Sequence, residues 1–162
     1  MNMNTIKIND RIINLDRVSN ISVRPLEYHV ETMSRITFNF DFTVDVSVRG
    51  GFKKAQSYLY IDVPSTKIKD FYNTIDRLSN ERNIPILYLN GNNTTENNII
   101  NLNKCSSVHF DDNRENIIFN MSSGVEKDGR LVTDFKYMYF DDTVSYNATV
   151  EIVRKLMESV EV

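Results

Sequence analysis

The feature that most constrains this chain is repetition. Residues 12–21 read IINLDRVSNI and residues 99–108 read IINLNKCSSV. ITFNF at 36–40 returns as IIFNM at 117–121, and YLYID at 58–62 returns as YMYFD at 137–141. The order is the same each time and the offset drifts by a few residues, as changes in loop length produce. An internal repeat specifies one supersecondary unit used twice. The expectation is a single globular domain over 1–162 made of two tandem copies, 1–84 and 85–162.

Hydrophobic periodicity gives each copy its content. Over 36–48, Ile36, Phe38, Phe40, Phe42, Val44, Val46 and Val48 alternate with Thr37, Asn39, Asp41, Thr43, Asp45 and Ser47. A period of two means a strand with one buried face in an antiparallel sheet. Arg49-Gly50-Gly51 turns the chain, and 55–63 returns as the partner strand. In the second copy, 116–125 and 130–141 flank the turn Glu126-Lys127-Asp128-Gly129.

The period then lengthens to about 3.6. A first helix opens at Pro64-Ser65, carries Ile68, Phe71, Tyr72, Ile75 and Leu78, and ends at Asn83-Ile84-Pro85. A second starts near Asp142-Thr143, with Val144, Ala148, Ile152, Val153, Leu156 and Val160 as its apolar positions. Short strands at 5–8 and 86–90 precede the two INL segments, and the polar run 91–98 is a loop. The fold class is α+β, a tandem duplication of a β-β-β-β-α unit with antiparallel sheets and one helix packed on each. Two four-stranded modules about a pseudo-twofold axis, or one continuous sheet, both satisfy the pattern. Phe38, Phe40, Phe42, Leu59, Ile61, Phe71, Ile75 and Leu78 are expected to share a core.

Composition narrows the setting. The formal net charge of −3 argues against a general polyanion binder, which carries a basic face. One cysteine, Cys105, excludes an intrachain disulfide, and the start MNMNTIKIND lacks the basic and apolar regions of a signal peptide. No run approaches the roughly 20 apolar residues of a membrane helix. The cytoplasm is the expected compartment, without a membrane partner, so Asn92 and Asn147 in Asn-x-Ser/Thr triplets are read as unmodified. Abundant Asn, Ile and Lys with no Trp are what AT-rich codons produce.

Catalytic patterns are few. The sequence has no P-loop, dinucleotide fingerprint, His-Glu-x-x-His or nucleophile elbow, and no cofactor is expected. Cys105 and His109 lie four apart on a strand, so both could reach one face. Nucleophilic catalysis also needs an orienting group and an oxyanion site, so the pair is read as incidental. His29 has no visible partner. Asp111-Asp112 and Asp141-Asp142 could suggest a hard cation, but the first pair suits a turn and the second a helix N-terminus.

The repeated Tyr-x-Tyr-x-Asp stands apart. Tyr58 and Tyr60, and likewise Tyr137 and Tyr139, lie opposite the apolar residues that meet a helix. They are either buried between two sheets or open, and open tyrosines stack on bases or anchor a protein interface. Arg49, Lys53 and Lys54 cluster at the first hairpin tip, and Lys127 and Arg130 stand near the second.

The INLDxVxxI segment, the IxFN hairpin and the YxYxD strand together resemble small uncharacterised proteins of bacteriophages and their hosts, along both halves of the chain. The duplicated β-β-β-β-α order is similar in architecture to the Whirly family of single-stranded DNA binders. Its lysine-rich signature is missing here, so no binding residue is carried over. The resulting reading is a non-enzymatic interaction protein, a phage-encoded accessory factor that binds a host protein or assembles with itself. The alternative is a single-stranded nucleic-acid binder that uses the sheet tyrosines and hairpin-tip cations.

Overall fold

The computed structural model describes residues 4–26, 32–90, 97–127 and 130–157. The first half contributes β1 (Thr5–Ile8), β2 (Arg11–Asn14), β3 (Val18–Leu26), β4 (Met33–Val48), β5 (Gly51–Pro64) and α1 (Ile68–Arg82). The second contributes β6 (Ile86–Asn90), β7 (Asn97–Asn101), β8 (Cys105–Asp111), β9 (Asn116–Lys127), β10 (Arg130–Tyr139) and α2 (Thr143–Met157). One 3-10 turn, Leu15–Arg17, joins β2 to β3, and another, Leu102–Lys104, joins β7 to β8. His29, Asn92, Asp128, Gly129 and Val160 lie outside the described residues, as do the side chains of Lys127 and Arg130.

The fold is mixed α+β, and the described strand pairs are antiparallel. Among the described residues the strands divide into a two-stranded sheet β1-β2, a five-stranded sheet β5-β4-β3-β7-β6 and a three-stranded sheet β10-β9-β8. This is neither a pair of four-stranded modules nor one continuous sheet. The hairpin β6-β7 has added to the edge of β3, with Asn20 opposite Ile100 and Ile21 opposite Ile99. An unpaired strand edge exposes hydrogen-bonding groups, and β7 satisfies those of β3.

Two apolar cores follow. Ile21, Val23, Ile36, Phe38, Ile61 and Val63 of the large sheet meet Phe71 and Ile75 of α1, and Ile6 and Ile13 of the small hairpin close the side. The Phe38 and Phe71 rings meet edge to face at 6.2 Å, a favoured aromatic geometry. α1 stops because Asn83 adopts φ 53°, a left-handed cap, and its N–H returns to the Ser79 carbonyl. The second core joins Ile117, Phe119 and Met121 of β9 to Tyr146, Val150 and Val153 of α2, with Ile100 and Leu102 from the chain before β8.

Three expectations about burial are corrected. Phe42 is exposed: beyond a register irregularity after Asn39, β4 and β5 run on as an arm on which Phe42, Val44 and Val48 are exposed. In α2 the buried stripe is Tyr146, Val150 and Val153, whereas Val144, Ile152 and Leu156 are exposed. The Tyr146 hydroxyl donates to Asp112 at 2.7 Å. Burial comes first and that carboxylate second in pushing the phenol pKa up to about 12. Cys105 and His109 point to opposite faces, because a bulge between Cys105 and Ser107 shifts the alternation.

Several local devices occur twice. Asn14 and Asn101 each accept from the backbone N–H two residues on. Leu15 N–H donates to the Asn4 carbonyl at 2.7 Å, and Leu102 N–H to the Pro85 carbonyl at 2.8 Å. β3 bulges after Val18 and β8 after Cys105. At each bulge a serine hydroxyl, Ser19 or Ser106, donates at 3.1 Å to the carbonyl of Asn39 or Asn120. The hairpins β4-β5 and β9-β10 shift register at corresponding places, after Asn39 and after Asn120.

Candidate functional site

Register decides which aromatic residues correspond. Phe38 lies opposite Ile21 and Phe119 opposite Val108, which aligns β4 with β9. On the next strands Tyr60 faces Thr37, and Tyr137 faces Ile118, the residue in the place of Thr37. Tyr137 is therefore the counterpart of Tyr60, Phe135 of Tyr58, and Tyr139 of Asp62. The YLYID and YMYFD strings, matched letter to letter, run two residues out of step with the sheet.

Both tyrosine rows are open. Tyr58 is 63% exposed and Tyr60 49%, while Phe135, Tyr137 and Tyr139 are 44%, 50% and 52% exposed. Strand alternation puts each row on the face turned away from its helix. Tyr137 and Tyr139 stack with ring centroids 6.0 Å apart and planes 7° from parallel. On the first row the Arg35 guanidinium lies 4.1 Å above the Tyr60 ring. Arg35 is held there by two hydrogen bonds to Asp62, at 2.7 and 3.0 Å. This fork-to-fork geometry joins a cation–π contact to a bidentate ion pair.

The cations of the first hairpin are placed away from these rings. Arg49 sits at the exposed tip beside Gly50, whose φ of 95° suits glycine. Lys54 shares the tyrosine face but bonds Asp45 at 2.9 Å. Lys53 is exposed, and alternation sends it to the opposite face, across from Val46. Five residues of strand separate it from Tyr58, about 17 Å.

Two features escaped the sequence reading. Asp41 takes a hydrogen bond from Arg17 at 2.8 Å and another from Lys104 at 2.9 Å. Arg17 and Lys104 close the two 3-10 turns, so one carboxylate ties corresponding positions of the two halves together. Partial burial raises the Asp41 pKa, but the two cations outweigh it and the net shift is downward. Arg17 also lies 4.9 Å over Phe42, which stacks on Phe40. The second feature is the outer stripe of α2, where Val144, Ala148, Ile152 and Leu156 recur every four residues and stay exposed. The spacing was legible, but nothing in it says which of two apolar stripes is buried.

Cys105, Asp111, Asp112 and Asp142 have structural partners. Burial pushes the Cys105 thiol pKa up to about 11, and its Sγ lies 3.6 Å from the Met121 sulfur. A raised pKa favours the neutral thiol over the nucleophilic thiolate. Asp111 accepts the Arg114 N–H in a turn, and Asp142 caps α2 through the Ser145 N–H and hydroxyl. Among the described residues no three His, Cys, Asp or Glu side chains gather as a metal site, and no helix is long and apolar enough to cross a membrane. Comparison with family models, with curated proteins and with solved structures finds no match.

Proposed function

We propose that the chain is a tandem duplication whose two copies each present an aromatic sheet face to a protein partner, and that it acts as a non-enzymatic interaction protein. The duplication reading is supported by the repeated asparagine caps, serine-bonded bulges and register shifts, which unrelated segments would not share. The functional reading rests on one observation above all. The cations beside the first aromatic row are ion-paired within the protein, Arg35 with Asp62 and Lys54 with Asp45, while Arg17 and Lys104 share Asp41. A strand-binding protein needs uncompensated cations beside its stacking rings. Tyrosine and arginine on a neutral face are instead the composition of protein hot spots. The exposed α2 stripe adds apolar area of the kind a protein covers.

The partner is a host protein or a second copy of the chain, and the setting is the cell interior. Alanine replacement of Tyr58, Tyr60, Phe135, Tyr137 and Tyr139 in a still-folded protein should abolish partner capture from host extract and self-association in sedimentation. Either activity should weaken only modestly between low and high salt, far less than the steep loss of a polyanion complex. Binding that survives the five substitutions refutes the surface. Steep salt dependence, with loss when Lys53 and Lys54 are neutralised, would replace this reading with single-stranded nucleic acid.

A further inference from the structure

The two aromatic rows differ at one corner, and the difference names a ligand chemistry. In the first half Tyr60, Arg35 and Asp62 form a closed set, with the guanidinium over the ring and both its hydrogen bonds made. The register puts Tyr137 in the place of Tyr60, Asn116 in that of Arg35 and Tyr139 in that of Asp62. The second half therefore keeps the ring, gains another, and lacks the cation.

What is left there is an acceptor-rich face. Asn116 is 5% exposed and its buried Oδ1 has no hydrogen-bond partner, and the same holds for the buried Oδ1 of Asn120. Both lie on the face of Tyr137 and Tyr139, since Asn116 is paired with Tyr139 and Asn120 with Phe135. A buried carbonyl without a donor is costly, so an incoming N–H gains more there than at the surface. Negative charge stands alongside in Asp111, which is paired with Asn116 from β8. The nearby cation, Arg114, is 81% exposed and reaches Asp111 only at 3.9 Å.

Resting on the reading of these rows as a protein-binding surface, we infer that the Tyr137–Tyr139–Asn116 face receives an arginine side chain of a basic partner segment. The guanidinium would lie on the tyrosine rings, as Arg35 lies on Tyr60 in the first half, and a small shift of Asn116 would let its unpartnered carbonyl accept from it. Stacking on π faces, several N–H donors and a positive charge are united in that side chain.

The test is a titration of the full chain with acetyl-Gly-Arg-Gly-amide and with its citrulline analogue, which keeps the shape and loses the charge, followed by two-dimensional NMR. The arginine peptide should shift the Asn116 side-chain amide and the β10 signals saturably, and bind about tenfold or more tighter than the citrulline peptide. The double variant N116R/Y139D, which rebuilds the first half's closed set over Tyr137, should lose that binding while keeping a dispersed spectrum. Equal shifts from the two peptides overturn the inference, and so does arginine binding that persists in folded N116R/Y139D. Neither result touches the broader reading, which falls if the fivefold alanine variant still captures protein, or if capture is steeply salt-dependent and lost when Lys53 and Lys54 are neutralised.

Discussion

The hairpins β1-β2 and β6-β7 both end in the same IIN before a leucine and have opposite fates. Ile12 and Ile99 occupy the same place in the IINL segment, yet Ile12 is 71% exposed and Ile99 2%. Their neighbours behave alike: Ile13, Ile100, Leu15 and Leu102 are buried, and both asparagines cap a 3-10 turn. Local sequence is thus sufficient to make the hairpin and its turn twice. Where the hairpin docks is decided by which strand edge is open, and β3 offers one to β7. A short hairpin is marginal alone, so its partner determines what it buries.

The comparison can be broken by mutation. The largest effects are expected where the halves agree: Phe38→Ala and Phe119→Ala, both fully buried, should each cost about 3–5 kcal/mol in urea unfolding. A loss at one site only would show that the halves do not share a core position. The next pair tests where they disagree. Ile99→Ala should cost about 2–5 kcal/mol, whereas Ile12→Ala should stay within about 0.5 kcal/mol. Similar losses at both would mean that β1-β2 also docks against a sheet in solution.

A smaller effect is expected at the carboxylate between the halves. Asp41→Asn leaves Arg17 and Lys104 facing a neutral amide and should cost about 1.5–3 kcal/mol at neutral pH, the range for hydrogen bonds to charged groups. Because the folded pKa of Asp41 lies below its unfolded value, its contribution is present above that unfolded value, about 3.9, and is lost as pH falls through the folded one. The stability gap between wild type and variant, followed by unfolding from pH 7 downward, should therefore close in the acid range. A gap that widened there would reverse the sign of the argument. The smallest effect belongs to the outer stripe of α2, where Ile152→Ser should change stability by no more than about 0.5 kcal/mol. A larger loss in dilute monomer would return that stripe to the core.

Much of this was readable beforehand. The strands at 5–8 and 86–90, both hairpins and both helices stand where period, glycine turn and proline stop put them, because those signals act within a few residues. The open face of the tyrosines was half legible: alternation placed them away from the helix, and only the packing of the sheets left them uncovered. Asp62 belongs to the repeated Tyr-x-Tyr-x-Asp, but nothing marked Arg35, 27 residues away, as its partner until strand pairing set them side by side.

What the sequence determined by itself, then, is the two hairpins, the two helices and the faces of the regular strands, since alternation and helical spacing are properties of neighbouring residues. Each INL segment, read as one strand, breaks at a 3-10 turn into two, giving five strands before each helix rather than four. Tertiary structure alone decided the rest. It set the two-residue step that makes Tyr137 the counterpart of Tyr60, the docking of β7 on β3, the choice between the apolar stripes of α2, and the meeting of Arg17 and Lys104 on Asp41. Each depends on register or on competition between surfaces far apart in the chain, and a local pattern carries no information about which distant edge or cavity will be there to meet it.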